Sequence, residues 1–365
     1  MLQQNARVYI GTYTENILHG TGNVLHGKGK GIYTATLNTI TGKIIESRLE
    51  IAADNPSFLC ISPEGKYLYA VNELKEYKGQ SQGSVSSYKI IEDKNRLEFL
   101  NKVPTKGTDP CYVVTSYSGK SVAVTNFTSG SLCIFRVQAD GSLAEELVFR
   151  QHRGASLDPI RQMGPHAHSA MFDKNDRYVY IPDLGLDEVV IYHYNEETTE
   201  LLKVSSTYVK PGAGPRYCEM HPYLDICYLI NELDSTIYTY KWNSANGELE
   251  FIQAVSTITD SHKKTNISAA LHVTPDGKFL YGSNRGDDSI VIFSVDKNGK
   301  LRYVGHEASG GCTPRDFTIV ADGAYLIVAN QDSDNISVFK RNIETGKLTL
   351  SCKHSIPTPV CVVEI

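Results

Sequence analysis

The sequence predicts an all-β fold, a seven-bladed β-propeller closed by a blade that the N- and C-termini share. Three observations predict it. Six segments of the chain align with one another without a gap, two further strand-like stretches follow each segment, and the two ends supply complementary parts of a seventh unit. Composition agrees: 22 Tyr against one Trp, with abundant Val, Ile and Thr, favours strands. No segment sustains a 3.6-residue apolar period beyond short loop pieces.

The repeats are PSFLCISPEGKYLYAVNE from Pro56, PCYVVTSYSGKSVAVTNF from Pro110, AHSAMFDKNDRYVYIPDL from Ala167, PRYCEMHPYLDICYLINE from Pro215, SAALHVTPDGKFLYGSNR from Ser268 and PRDFTIVADGAYLIVANQ from Pro314. In each, an alternating apolar stretch meets a turn, and a second alternating stretch ends in Asn, or in Asp183. The interval from the first column to the Asn column is sixteen residues in every copy. Period-two alternation around Glu-Gly, Ser-Gly or Asp-Gly reads as a hairpin with a two-residue turn. Stretches such as SIVIFSVD and KLRYVGHEA then complete four strands per unit, the make-up of a propeller blade.

The ends account for the seventh blade. PTPVCVVEI matches the first strand of the repeat, and ARVYIGT matches the second. GIYTATLN and KIIESRLE follow as third and fourth. The strand near Val360–Val363 should therefore pair beside that near Val8–Ile10 and remove the open edges. Residues 1–365 read as one domain.

Bulk properties exclude other classes. A hydrophobic share of 41% with 21% charged residues is a globular balance. A net charge of −5 gives no general pull toward nucleic acid or an anionic membrane. No apolar run is long enough to span a bilayer, and MLQQNARVYIGTY has no signal-peptide pattern, so a cytoplasmic protein is expected. The cysteines at 60, 111, 133, 218, 227, 312, 352 and 361 form no C-x-x-C pair. They read as reduced thiols, mostly buried.

Two alignment columns should crowd one mouth of the central channel, because the start of the first strand and the end of the second lie away from the hairpin turn. One column holds Ser57, Cys111, His168, Arg216, Ala269, Arg315 and Val360. The other holds Glu73, Phe127, Leu184, Glu232, Arg285, Gln331 and Thr12. Folding gives a repeat no reason to set His, Arg and Glu at equivalent channel-facing positions, since burying charge is costly unless it is paired. Such divergence marks either a functional site or ion pairs that plug the channel. The Asn column (Asn72, Asn126, Asn231, Asn284, Asn330) is explained by local backbone hydrogen bonds.

Two loops are expected over this mouth. TENILHGTGNVLHGKGKG, carrying Lys28 and Lys30, has no G-K-[ST] and no following helix; it reads as a lid or surface loop rather than a phosphate cradle. RQHRGASLDPIRQMGPHAHS leads into His166 and His168 and brings Arg153 and Arg161, whose charge favours an anionic substrate.

With these residues in view, the chain resembles the seven-bladed propeller lactonases of the bacterial 6-phosphogluconolactonase type, related to carboxy-muconate cyclase. The likeness runs along YIGTYT from Tyr9, RQMGPHAH ending at His168, PDLGLD from Pro182, GAGPR ending at Arg216, the NE at Glu232, SNRG around Arg285 and TPRDF around Arg315. It implies hydrolysis of 6-phosphogluconolactone to 6-phosphogluconate, a step of the pentose phosphate pathway, with His168, Arg216, Glu232 and Arg285 as the catalytic constellation. The N-terminal Gly/His/Lys insertion is longer than the family's short loop and bears on which sugar fits.

Lactone hydrolysis needs a base for water, charge opposite the carbonyl oxygen and a proton for the leaving alkoxide. Glu232 and His168 are the candidates for base and acid, in either order. Arg216 or Arg285 would face the oxyanion. Arg315, with Glu73, His166, Gln331 and Arg161 around it, would hold the substrate and its anionic group. No cofactor or metal is expected; Arg fills the cation's role. The expected partner is a small anionic sugar lactone, not nucleic acid or membrane, with the chain a monomer or weak homodimer. The alternatives are an unphosphorylated aldonolactonase, a muconate-type lactonizing cycloisomerase, or a non-catalytic binding scaffold.

Overall fold

The computed structural model describes residues 4–18, 24–91, 96–259, 262 and 264–365. Seven four-stranded antiparallel sheets form the blades, and the first strands of neighbouring blades pack on one another around the axis. In the closing blade, Pro359–Glu364 lies inside Asn5–Thr12, followed outward by Gly31–Asn38 and Lys43–Ala52. The register pairs Tyr9 with Val363, Ile10 with Val362 and Gly11 with Cys361, as the chain ends predict. Apolar faces of adjacent blades interlock: Tyr69, Val71 and Val85 of one blade meet Val113, Val124 and Phe135 of the next.

The hairpin turns are longer than the expected two residues. Ser62 N–H bonds Tyr67 C=O, and within that pair Gly65 N–H closes on Ser62 C=O. Four residues thus make each connection, with Gly65 at φ +72°. The same pattern recurs at Ser116–Gly119 and Thr274–Gly277. A left-handed residue after the turn restores the strand twist that a plain two-residue connection without a primed turn would splay.

One irregularity recurs around the ring and sets up the mouth. The columns sixteen apart face each other as pairs: Pro110 with Asn126, Pro215 with Asn231, Ser268 with Asn284 and Pro314 with Asn330. Immediately after each pair the register slips, so that Cys111, Arg216 and Arg315 are the extra residue of a β-bulge. Ala167 bridges Asp183 while Met171 pairs with Tyr180, leaving one extra residue on the His168 side as well. In the closing blade Thr12 pairs with Pro359 and Gly11 with Cys361, which leaves Val360 over. A bulge turns a side chain away from the ladder's normal alternation.

The chain enters these bulges under strain. Asn55, Asp109, Thr313 and Thr358, each just before a column Pro, are left-handed at φ 38°, 53°, 58° and 43°. For a β-branched Thr that conformation costs on the order of 1–3 kcal/mol. Aspartates from the preceding blade hold it in place: Asp288 accepts Thr313 N–H and Asp334 accepts Thr358 N–H. The Asn column bonds backbone, though that of the preceding blade rather than the local turn. Asn126, Asn284 and Asn330 donate their amides to the backbone carbonyls of Thr105, Thr257 and Ser309.

Below the mouth, aromatic rings close the channel. Phe58 touches Tyr112 (centroids 4.2 Å), Tyr112 touches Tyr217 (5.4 Å), Tyr217 touches His272 (5.6 Å) and His272 touches Phe317 (5.0 Å). A cavity of about 780 Å³ on the hairpin-turn side, lined by Tyr112, Tyr217 and Glu219, lies beyond this diaphragm. The TENILHGTGNVLHGKGKG segment is more ordered than a plain lid: Asn16–Leu18 pairs with Val24–His26, and Lys28 Nζ meets Asp334 at 2.5 Å. Its tip, residues 19–23, lies outside the described residues. Among the described residues no helix is long and apolar enough to cross a membrane.

Candidate active site

Four of the predicted residues converge on one carboxylate. Glu232, 2% exposed, accepts Arg216 Nε at 3.0 Å and an Arg285 terminal nitrogen at 2.7 Å on Oε2. Arg161 reaches Oε1 at 2.5 Å, and His168 Nε2 stands 3.9 Å from Oε2. Backbone carbonyls finish the job: Arg216 donates to Ala269 C=O at 2.7 Å and Arg285 to Ser268 C=O at 2.9 Å. Arg161, expected as a substrate-binding cation, is thus committed to Glu232. Arg153 stays exposed.

The electrostatics separate the roles. Burial alone would raise the Glu232 carboxyl, but Arg285, Arg161 and Arg216, with His168, hold it well below the usual carboxylate range. Such a carboxylate is a fixed anion and a weak base. Burial, reinforced by Arg216, keeps His168 well below its ordinary value despite Glu232, so its imidazole is neutral near pH 7 and able to take a proton. Burial also brings Arg285 down to about 9.

A second group stands apart from this hub. Tyr13, fully buried, donates its hydroxyl to both Glu73 oxygens at 2.9 and 3.1 Å. The Arg315 guanidinium lies over the Tyr13 ring, 5.3 Å from its centroid. Among the described residues no carboxylate lies within 4.0 Å of Arg315, which leaves its charge available to a ligand. Arg315 and Glu73 therefore share a region, as predicted, through a tyrosine that the repeat pattern does not single out because it lies just past the first blade's column.

The remaining predicted residues support the loop. His166 stacks on Phe127 (4.5 Å), its Nδ1 2.9 Å from Phe127 C=O, while Phe127 meets His168 edge-on at 5.2 Å. Asp183 accepts His166 N–H at 2.7 Å and lies 2.7 Å from His152 Nδ1, so the one acidic member of the Asn column anchors the histidine loop. Gln331 is buried and donates to Asp332 at 2.8 Å, with its own oxygen unpartnered. Cys111, with its thiol pushed up to about 12 by burial, packs 3.8 Å from His168 Nδ1. Among the described residues no group of three or more His, Cys, Asp or Glu is placed to hold a metal ion.

A propeller mouth with a neutral imidazole, paired guanidiniums and an uncommitted Arg gathers the kinds of group that ester hydrolysis needs. The chain belongs to the family described as Lactonase, 7-bladed beta-propeller, which it matches over residues 7–364. It is 34% identical over 356 residues to the 6-phosphogluconolactonase of Bacillus subtilis, covering 97% of both chains. It is 39% identical to the 6-phosphogluconolactonase of Formosa agariphila, covering 93% of this chain and 94% of the relative. The solved structure of the periplasmic gluconolactonase of Pseudomonas aeruginosa superposes with a TM-score of 0.89 at 29% identity, covering 99% of each chain.

Proposed function

We propose that the protein hydrolyses 6-phosphogluconolactone to 6-phosphogluconate, as one catalytic domain spanning 1–365 in the cytoplasm, monomeric or weakly dimeric. The observation that carries this reading is the division of the mouth: a His168–Arg216–Arg285 face locked around Glu232, and an Arg315 free to bind an anion. His168 takes the proton of water, and Arg216 and Arg285, already oriented, face the oxyanion that forms. Preorganised charge of this kind is usually the largest contribution to rate. Arg315 binds the phosphate by charge-assisted hydrogen bonds.

The test is hydrolysis of phosphorylated against unphosphorylated gluconolactone by the purified protein, with and without chelator. Turnover of the phosphorylated lactone, with kcat/KM at least tenfold higher and indifferent to chelator, is expected. Preference for the unphosphorylated ring would favour the aldonolactonase reading, which the Pseudomonas structure supports. Absence of turnover on either would remove the lactonase reading.

A further inference from the structure

We propose that Glu73 is the proton donor to the leaving ring oxygen, that Tyr13 is its positioning residue, and that Glu232 is a fixed anion that exchanges no proton. This rests on lactone hydrolysis as the reaction. Glu73 and Glu232 occupy the same column of two blades, and both are buried, at 8% and 2% exposure. Their surroundings differ in kind. Three guanidiniums hold Glu232, so a proton could bind there only by displacing one. Among the described residues no Arg, Lys or His nitrogen lies within 4.0 Å of the Glu73 carboxyl. Its partner is the Tyr13 hydroxyl, which fixes the plane of the carboxyl without supplying charge.

The neighbours of Glu73 act in both directions, and burial is the largest influence. Burial raises its carboxyl; Arg315 opposes, as do Ser57 and Tyr13, while Asp109 adds to the rise. Cys111 carries no charge, being held as the thiol. Two carboxyls at one mouth are thus pushed in opposite directions, the arrangement that separates a proton-carrying acid from a permanent anion.

The step balances. His168 takes a proton from water as the water oxygen bonds the carbonyl carbon, and the carbonyl electron pair moves onto its oxygen. Collapse re-forms the carbonyl and breaks the ring C–O bond. The departing oxygen keeps that electron pair and takes the Glu73 proton. His168 then releases its proton to solvent, and Glu73 regains one.

The experiment compares wild type and Glu73→Gln on 6-phosphogluconolactone and on its ring-sulfur thiolactone, whose thiolate leaves without a proton. We expect kcat to fall by about 10²–10³ on the oxygen lactone and by less than about tenfold on the thiolactone. Equal loss on both, or no loss, overturns the proposal. A wild type silent on both removes the lactonase reading itself, and the acid role with it. Because the acid must be protonated, kcat should fall as pH rises through the Glu73 value; Tyr13→Phe should displace that limb. If Glu73→Gln does not fold, the Tyr13→Phe profile decides, together with infrared titration of the wild-type carboxylic acid carbonyl. An unmoved limb and a missing band each overturn the assignment.

Discussion

Glu232→Gln separates an anchor from a catalytic base. The substitution keeps shape and one acceptor oxygen but removes the charge that three guanidiniums approach at 2.5, 2.7 and 3.0 Å. At an effective dielectric of about 20, each such contact is worth about 5.5–6.6 kcal/mol gross. Desolvation already offsets most of that, and breaking a buried pair costs about 3–5 kcal/mol net. Unfolding entropy near 2 cal/mol/K per residue converts 1 kcal/mol to about 1.3 °C for a chain of this length. A calorimetric scan should therefore show Tm lower by about 4–7 °C. On the protein that remains folded, kcat should fall by about 10²–10³, because Arg216 and Arg285 lose their aim. The pH profile should keep its shape. An unchanged Tm combined with loss of one pH limb would refute the anchor and restore Glu232 as a base.

Other outcomes follow from the same geometry. Arg315→Ala should raise KM for a phosphorylated lactone by about 10- to 100-fold with kcat little changed, since a charge-assisted hydrogen bond is worth about 1.5–3 kcal/mol; steady-state kinetics check it. Deleting residues 358–365 removes Pro359–Glu364 and exposes the Asn5–Thr12 edge, and should yield insoluble protein on expression. His272 is opposed by burial, but Glu219 at 2.8 Å and Asp316 at 4.0 Å raise it above its ordinary value, with Tyr217 packed alongside. A raised histidine stabilises fully below its unfolded value and loses that contribution as pH rises through the folded one. The stability gap between wild type and His272→Gln should thus be widest below about pH 6 and close on the alkaline side, read by urea unfolding at a series of pH values.

The ring, its closure and the convergence of His168, Arg216, Glu232 and Arg285 were legible because each follows from a residue's place in a repeat. The bulges were not, for a specific reason. The extra residue falls in the same column of successive copies, at Cys111, Arg216 and Arg315, so the gapless alignment that reveals the repeat also hides the slip. Arg161 was legible only in part and the role of Tyr13 not at all, since both lie where the copies diverge and no equivalent position fixes their direction. The turn length was misjudged because Glu64–Gly65 and its counterparts look the same whether two residues or four make the connection.

The recurring bulge has a consequence for how this scaffold acquires new chemistry. A residue outside the ladder can be exchanged without disturbing any rung on either side of it. The mouth is in effect a circle of such sockets at one height, and two of the residues in them, Cys111 and Val360, carry no charge. Polar residues placed there would enter a rigid, prearranged circle rather than a loop that must first be ordered. A change of substrate could then be written by single substitutions at the sockets, with the strand pairing of all seven blades left as it stands.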